Sequence, residues 1–397
     1  MQETLIKNVR PLAGSAVDIL VQDERIAAVG PSLTSSAPDA QVIDGDGHLV
    51  LPGFADAHTH IDKCTVGLGW YSRRSGRSWA EMIKDGQDYR ERPDFDHHVQ
   101  SSRQARASIA AGTTHLRTFV DIDPSARLKG LEGVLKTRED LAGALTINIV
   151  AFAQSGLLVT PGVDKLLEEA LQNGADSVGG MDPAYYDRDP VKHLDVIFGL
   201  AEKYDKDVDI HFHEVGTLGA FTCELIIERV KTLGWHDRTV ISHPNFLGDI
   251  EPAYADRLIE ELAENRISIT SNGPGGSHPN PPVKRLHQAG VACGMGNDGV
   301  GDTWNPFNRP DVLNRAYLVA FRNRLSGDDE LEIALDLATF GGARVMRAES
   351  YGLEVGCYAD LVLLPGETHV QTIIERPTER LVLKRGRIVA RDGECLV

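Results

Sequence analysis

Leu51-Pro52-Gly53-Phe54-Ala55-Asp56-Ala57-His58-Thr59-His60 reads as a buried, apolar strand that ends in two histidines one residue apart. Side chains at i and i+2 of a strand point to the same side, so His58 and His60 can converge on one ion. Neutral imidazole is the commonest metal ligand near pH 7. A bare His-x-His is more often a solvent-facing strand end than a metal site. The other strand ends decide between the two.

Working outward, the run Leu49–His60 is the first of eight apolar, β-branched stretches. The others are Thr113–Asp121, Thr146–Gln154, Ser177–Met181, Asp207–Glu214, Thr239–His243, Ile267–Asn272 and Val291–Asp298. Helical patterns fall between most of them, clearest at Asp96–Ala111, Asp164–Asn173, Pro190–Tyr204, Thr217–Leu233 and Glu251–Asn265. In the last of these, Ala255, Leu258, Ile259 and Leu262 give an apolar stripe at i, i+3, i+4 and i+7. Helices are also expected at Arg309–Arg324 and Asp329–Arg347. Eight alternating units predict an α/β fold, a (β/α)8 barrel of the TIM type. A doubly wound sheet is less favoured, since no Gly-x-Gly-x-x-Gly follows a strand and opens a helix.

The two ends of the chain differ from this centre. Short β-like runs (Leu5–Val9, Ala16–Val21, Arg25–Val29, Gln41–Ile43) are matched near the C-terminus by Asp360–Leu364, Arg380–Lys384 and Arg387–Ala390. We expect one small, discontinuous β-sandwich from residues 1–51 and 350–397 around a barrel of residues 52–349. With 58 acidic against 41 basic residues and a net charge of −17, the chain lacks the basic footprint that nucleic acid or an anionic membrane requires. Its five cysteines are scattered without a Cys-x-x-Cys pair, as expected of reduced thiols in a cytoplasmic protein. No basic region precedes an apolar run at the N-terminus, and no segment approaches the roughly 20 apolar residues of a membrane span.

In such a barrel, chemistry is done at the C-terminal ends of the strands. Those ends carry His58 and His60, His211, His243 and Asp298. Histidine nitrogen with carboxylate oxygen suits one divalent metal ion, Zn2+ or Fe2+, with a position left for water. Such a metal lowers the pKa of its water from about 15.7 to about 7. Asp298 can both ligate and take the water proton. Glu214, three residues beyond His211, stands where a general acid/base is needed, and His243 can stabilise a developing oxyanion. His213 shares the side of His211 on a regular strand, which leaves ligation, a structural role and a substrate contact all open. The fourth strand run, Ser177-Val178-Gly179-Gly180-Met181, has no lysine to bridge a second metal.

These motifs resemble the amidohydrolase superfamily, and within it the subgroup of bacterial cytosine deaminase and N-isopropylammelide amidohydrolase. The resemblance rests on Pro52-Gly53-Phe54-Ala55-Asp56-Ala57-His58-Thr59-His60-Ile61-Asp62-Lys63, Val150-Ala151-Phe152-Ala153-Gln154-Ser155-Gly156 and Val178–Ala184. It continues through His211-Phe212-His213-Glu214, Ser242-His243 and Asp298…Asp302-Thr303-Trp304. It implies His58, His60, His211 and Asp298 as metal ligands, Glu214 as proton shuttle to a ring nitrogen and His243 as orienter of the attacking water. It also implies Gln154 on the amide edge of a pyrimidine-like ring and Trp304 in the pocket wall, with Lys63 and His213 as further substrate contacts. Cytosine deaminase has an aspartate where this chain has Gly299, and an aspartate at His213. Phe119 replaces a histidine common to the subgroup and is expected on the pocket wall. The implied activity is hydrolytic deamination of a small cytosine-, isocytosine- or aminotriazine-like heterocycle. Hydrolysis of a cyclic amide or amidine, hydantoinase- or creatinine-deaminase-like, is the alternative. A homo-oligomer is expected, as in relatives. The Gly- and Arg-rich loop Gly67–Trp79 reads as a solvated loop or as a lid over the substrate.

Overall fold

The computed structural model describes residues 3–33, 40–273, 279–307 and 309–397. Five strands come first: β1 (Thr4–Pro11), β2 (Val17–Gln22), β3 (Arg25–Gly30), β4 (Gln41–Asp44) and β5 (Leu49–Pro52). The barrel strands follow: β6 (Phe54–Thr59), β7 (Thr113–Asp121), β8 (Thr146–Phe152), β9 (Ser177–Gly179), β10 (Asp207–His211), β11 (Thr239–Ser242), β12 (Ser268–Ser271) and β13 (Cys293–Met295). Last come β14 (Leu361–Leu364), β15 (Leu381–Lys384), β16 (Arg387–Arg391) and β17 (Glu394–Cys395). Strands β6 to β13 lie side by side in chain order, in parallel register, with helices between them. This is the expected (β/α)8 barrel. The terminal strands form a second sheet in the order β17-β16-β15-β14-β5-β1-β2-β3, with β4 also paired to β1. Ile6, Ile19, Ile26, Val50, Leu361 and Leu383 meet in its core, so both ends of the chain build one apolar layer.

The helices bury the stripes that their sequences present. Pro252–Glu264 starts with proline in its first turn and a Glu251 side chain capping Tyr254 N–H, and it buries Ala255, Leu258, Ile259 and Leu262. Helices Lys129–Asp140 and Val283–Gln288 add to the layer, whereas Trp79–Arg90 lies by the strand ends, its Arg90 pairing with Asp121 and Asp123.

Two expectations need correction. The single run Leu49–His60 is two strands that belong to different sheets. β5 pairs with β1 and β14, whereas β6 pairs with β7. The break falls at Gly53, where an added Cβ would lie 2.3 Å from the Thr114 side chain. The expected helix Asp329–Arg347 is likewise two, Asp328–Ala338 and Phe340–Val345, divided at the non-helical Thr339. The break seats Gly341 and Gly342 against the barrel, where a Cβ would meet Cys293 O at 2.2 Å and Ala55 Cβ at 2.9 Å.

The barrel closes at a seam that matters for function. Beyond β13 the backbone turns against β6, with Asp298 N–H donating to His58 O at 2.8 Å and Thr59 Oγ1 donating to Asp298 O at 2.9 Å. Only glycine fits at 296, since a Cβ there would lie 2.1 Å from His58 O. Closing the barrel therefore sets Asp298 beside His58 and His60. Gly296→Ala is expected to lower stability by about 3 kcal/mol or more, the upper end for overpacking against rigid atoms. Urea denaturation checks this, and a variant with wild-type stability would show that the seam is looser than drawn.

Candidate metal centre and substrate cavity

Each donor sits at or just past the end of a barrel strand: His58 on β6 with His60 beyond it, His211 closing β10, His243 after β11 and Asp298 after β13. His58 Nε2 lies 3.8 Å and His60 Nε2 3.4 Å from Asp298 Oδ1. His211 Nε2 is 3.3 Å from His60 Nε2, and His243 Nε2 is 3.1 Å from His58 Nε2. An ion bound at about 2.0–2.1 Å by tetrahedral donors separates them by about 3.3–3.4 Å. The observed spacings bracket that value. Burial, reinforced by neighbouring imidazoles, holds His58 and His211 well below the usual histidine range, so both present neutral lone pairs. Burial pushes His243 down to about 4. Burial would raise Asp298, but the surrounding histidines outweigh it and hold the carboxyl well below the carboxylate range. Facing neutral nitrogens this close satisfy each other only when one carries a proton. A cation satisfies such facing donors. Among the described residues two overlapping clusters, His58–His60–Asp298 and His58–His211–His243, each bring three ligand atoms within 4.8 Å of one another, so the residues present fit a divalent metal ion.

The chain fixes the orientation of one ligand through three residues not singled out above. Ser242 Oγ donates to Asp209 Oδ1 at 2.7 Å, so its oxygen accepts from His58 Nδ1 at 3.0 Å and leaves His58 Nε2 bare. Arg117 holds Asp209 from the far side at 3.1 Å. Burial raises the Asp209 carboxyl to about 6. The signal was present in the sequence: Arg117 and Asp209 are charged residues inside apolar strands, each two positions before an inward-facing residue. Ser242→Ala is expected to weaken metal binding about 10- to 100-fold, as loss of an orienting partner does elsewhere. Competition against a chromogenic chelator measures this, and unchanged affinity would show that Ser242 does not set the tautomer.

His243 and Asp298 both adopt left-handed backbone, with φ of 65° and 59°. Such strain in non-glycine residues is maintained where the surroundings over-determine it, commonly at functional sites. Asn272 Nδ2 donates to Asp298 Oδ2 at 2.5 Å, while Asp56 accepts from Asn297 N–H and Nδ2 at 3.0 and 2.7 Å.

Two cavities adjoin the donors and share His213, Asp298 and Trp304. One, of about 510 Å³, is lined by Lys63, Gln154, Met181, Gly299 and Asp302. The other, of about 520 Å³, is lined by Trp79, Met82, Tyr185 and Leu218 together with Glu214 and His243. Gln154 Oε1 accepts from Lys63 Nζ at 2.6 Å, and Lys63 also pairs with Asp121 at 3.1 Å. With Oε1 occupied, the Gln154 NH2, a donor, is the end left for a ligand. Glu214 is 3% exposed, and its Oε1 accepts from Ala184 and Tyr185 N–H at 2.6 and 2.9 Å. Its Oε2 is buried, and burial raises the pKa against the pull of the Thr222 hydroxyl and the two backbone N–H groups. His213 is held apart from the donors by Asp182, which accepts from its backbone N–H at 2.6 Å and lies 3.1 Å from Nδ1. Burial would lower the His213 pKa, but Asp182 outweighs it and raises the pKa overall.

The structure brings together nearly all the residues expected at the site. Phe119 is the exception. It is fully buried beneath the donors, with ring centroids 4.3 Å from those of His58 and His211, and is not part of either cavity wall. Its role is to wall off the imidazoles from the barrel core. In the loop Gly67–Trp79, Arg73 and Arg77 donate to the backbone carbonyls of Asp302 and Thr303, so neither is free to read a substrate carboxylate. Only Trp79, at the end of the loop, reaches a cavity. The histidines away from the strand ends join no donor cluster among the described residues: His193, for example, pairs with Asp187 at 2.6 Å. His278 lies outside the described residues.

A parallel barrel with a histidine–aspartate donor cluster at its C-terminal mouth is the architecture of a metal-dependent hydrolase. The amidohydrolase family profile matches residues 41–397, and the chain belongs to that family. N-isopropylammelide isopropyl amidohydrolase of Pseudomonas sp. (strain ADP) is 33% identical over 390 residues, 95% of this chain and 94% of the relative. A crystal structure of N-isopropylammelide isopropylaminohydrolase from Burkholderia multivorans superposes with a TM-score of 0.96 at 43% identity, covering 100% of both chains. The 5-methylcytosine deaminase structure from Klebsiella pneumoniae shares the fold, with a TM-score of 0.87 at 24% identity over 98% of this chain and 97% of its own.

Proposed function

We propose that the chain is a mononuclear, metal-dependent deaminase. It hydrolyses an exocyclic C–N bond of a small oxo- or amino-substituted N-heterocycle, cytosine-, isocytosine- or aminotriazine-like, and releases ammonia or an alkylamine. The observation that carries this is Glu214: a buried carboxyl of raised pKa, one oxygen anchored by two backbone N–H groups, on the same cavity wall as His243 and Asp298.

His58, His60, His211 and Asp298 hold one ion, Zn2+ or Fe2+, whose donor types both metals accept. When bound, that ion supplies a water acidified to near neutrality. Asp298 would accept the proton that the attacking water gives up. Neutral His243 hydrogen-bonds the attacking oxygen and steadies charge that develops there. Glu214 enters protonated and gives that proton to the ring nitrogen. It then takes the proton of the newly added hydroxyl and passes it to the departing amine, so that C–N cleavage leaves a ring C=O and expels a neutral amine. The proton that Asp298 took from the water returns to Glu214 for the next turnover. The ring lies in the cavity of Gln154, Lys63, His213 and Trp304. The leaving group lies in the apolar cavity beside Glu214, which has room for an N-alkyl substituent. No lysine on β9 (Ser177–Gly179) is available to bridge a second ion. The same reading treats residues 52–349 as the catalytic unit and residues 1–51 with 350–397 as its supporting sandwich, and it expects a homo-oligomer. Among the described residues no helix is long and apolar enough to cross a membrane.

Metal-replete protein is tested on a panel of aminopyrimidines, aminotriazines, their N-alkyl derivatives and cyclic guanidines, with released amine quantified. Release from at least one member, abolished by chelation, is expected. Absence of amine from every member sinks the deaminase reading.

A further inference from the structure

The reaction as read so far leaves one buried carboxylate of the ring cavity unused. Asp302 is 1% exposed and follows the donor Asp298 by four residues. Its Oδ1 is fully occupied, accepting from Trp304 N–H at 2.8 Å and Asn305 N–H at 2.6 Å. Its Oδ2 accepts nothing from the described residues, yet it is not sealed off, because Asp302 lines the ring cavity with Lys63, Gln154 and Gly299. That oxygen occupies a space that a side chain at 299 would otherwise fill: a Cβ on Gly299 would lie 2.3 Å from it. Gly299 thus gives up its own side chain and lets a carboxylate from further along the loop enter the cavity beside Asp298. The backbone carbonyl of Asp302 is in turn pinned by Arg73 Nε at 3.0 Å, so the carboxylate is held on a fixed loop.

We propose that Asp302 is a specificity-determining residue whose Oδ2 accepts a hydrogen bond from a ring N–H of the substrate. Paired with the Gln154 NH2, the donor end left available because Lys63 occupies Oε1, it makes the ring cavity complementary to a lactam edge, a C=O beside an N–H. The substrate class is therefore an oxo-heterocycle rather than a ring whose nitrogens are all acceptors. This rests on the deaminase reading above.

Asp302→Asn isolates the claim. The asparagine Oδ1 keeps both backbone caps, while Nδ2 replaces Oδ2 and turns an acceptor into a donor. A site built for a substrate N–H discriminates strongly when that match is lost. For the fastest lactam-bearing member of the panel, kcat/KM is expected to fall about a hundredfold. The inhibition constant of 2-(isopropylamino)-1,3,5-triazine, whose ring nitrogens are all acceptors, is expected to hold or improve. Metal content and Tm stay at wild-type values. Gly299→Ala, which keeps the charge but crowds Oδ2, is expected to shift the same ratio in the same direction by about tenfold, and it decides the matter if Asp302→Asn folds poorly. If the wild type turns over lactam substrates and neither variant changes the ratio, the assignment of Asp302 is wrong. The same holds if the wild type turns over only acceptor-type rings. If the wild type releases no amine from any panel member, the deaminase reading itself has failed.

Discussion

Glu214→Gln is expected to lower kcat by at least about a hundredfold, within the range that a positioned acid–base group contributes. That corresponds to about 2.7 kcal/mol of transition-state stabilisation. The substitution is close to isosteric. A glutamine oxygen can still accept from the N–H groups of Ala184 and Tyr185, so the loop after β9 keeps its anchor. What is lost is the second carboxyl oxygen, buried and raised in pKa by that burial. An amide can neither donate a proton to the ring nitrogen nor relay one to the leaving amine. Bound metal and Tm should therefore be unchanged while turnover collapses. Steady-state amine release with a metal assay on the same sample makes the comparison, and near-wild-type turnover would remove Glu214 from the mechanism.

Asp298→Asn is expected to cost at least about a hundredfold as well, with a different signature. Among the described residues Asp298 is the only carboxylate in the donor cluster with His58 and His60, and its charge is stabilised by the histidines around it. Neutralising it removes a ligand charge and the water's proton acceptor together. The change also disturbs its support, because Asn272 Nδ2 donates to Oδ2 at 2.5 Å and would face an amide in place of an anion. Metal affinity and turnover should fall together, and turnover should stay low even when excess metal restores occupancy. A variant with undiminished turnover at full occupancy would show that Asp298 is a structural carboxylate.

How much of this was legible in the chain follows from the range of the interactions involved. The barrel was readable because strand and helix periodicities are local, and helix Pro190–Tyr204 begins and ends where its sequence pattern does. The donors were readable because strand ends are the one place in such a barrel where five scattered ligand-type residues can meet. What could not be read depends on partners distant in sequence. Nothing local in Leu49–His60 reveals that β5 joins the terminal sheet and β6 the barrel, since both halves are equally apolar. Gly296 and Gly341 are ordinary glycines until the barrel closes and brings His58 O and Cys293 O against them. Phe119 alternates as a pocket residue would, yet the histidines cover it. Arg73 and Arg77 resemble ligand-reading arginines, and only the fold shows them bound to loop carbonyls. Gly299 reads as a missing carboxylate until Asp302 is seen filling the space it leaves.

The central claim is that one metal ion at the mouth of the barrel is required for amine release. Stripping the protein with a chelator and titrating Zn2+ or Fe2+ back, while following amine released from the best substrate of the panel, tests it most directly. The account predicts no turnover in the stripped protein and a linear return of activity that saturates at one equivalent per chain. Turnover that survives complete metal removal, or that saturates only at two equivalents, would contradict it.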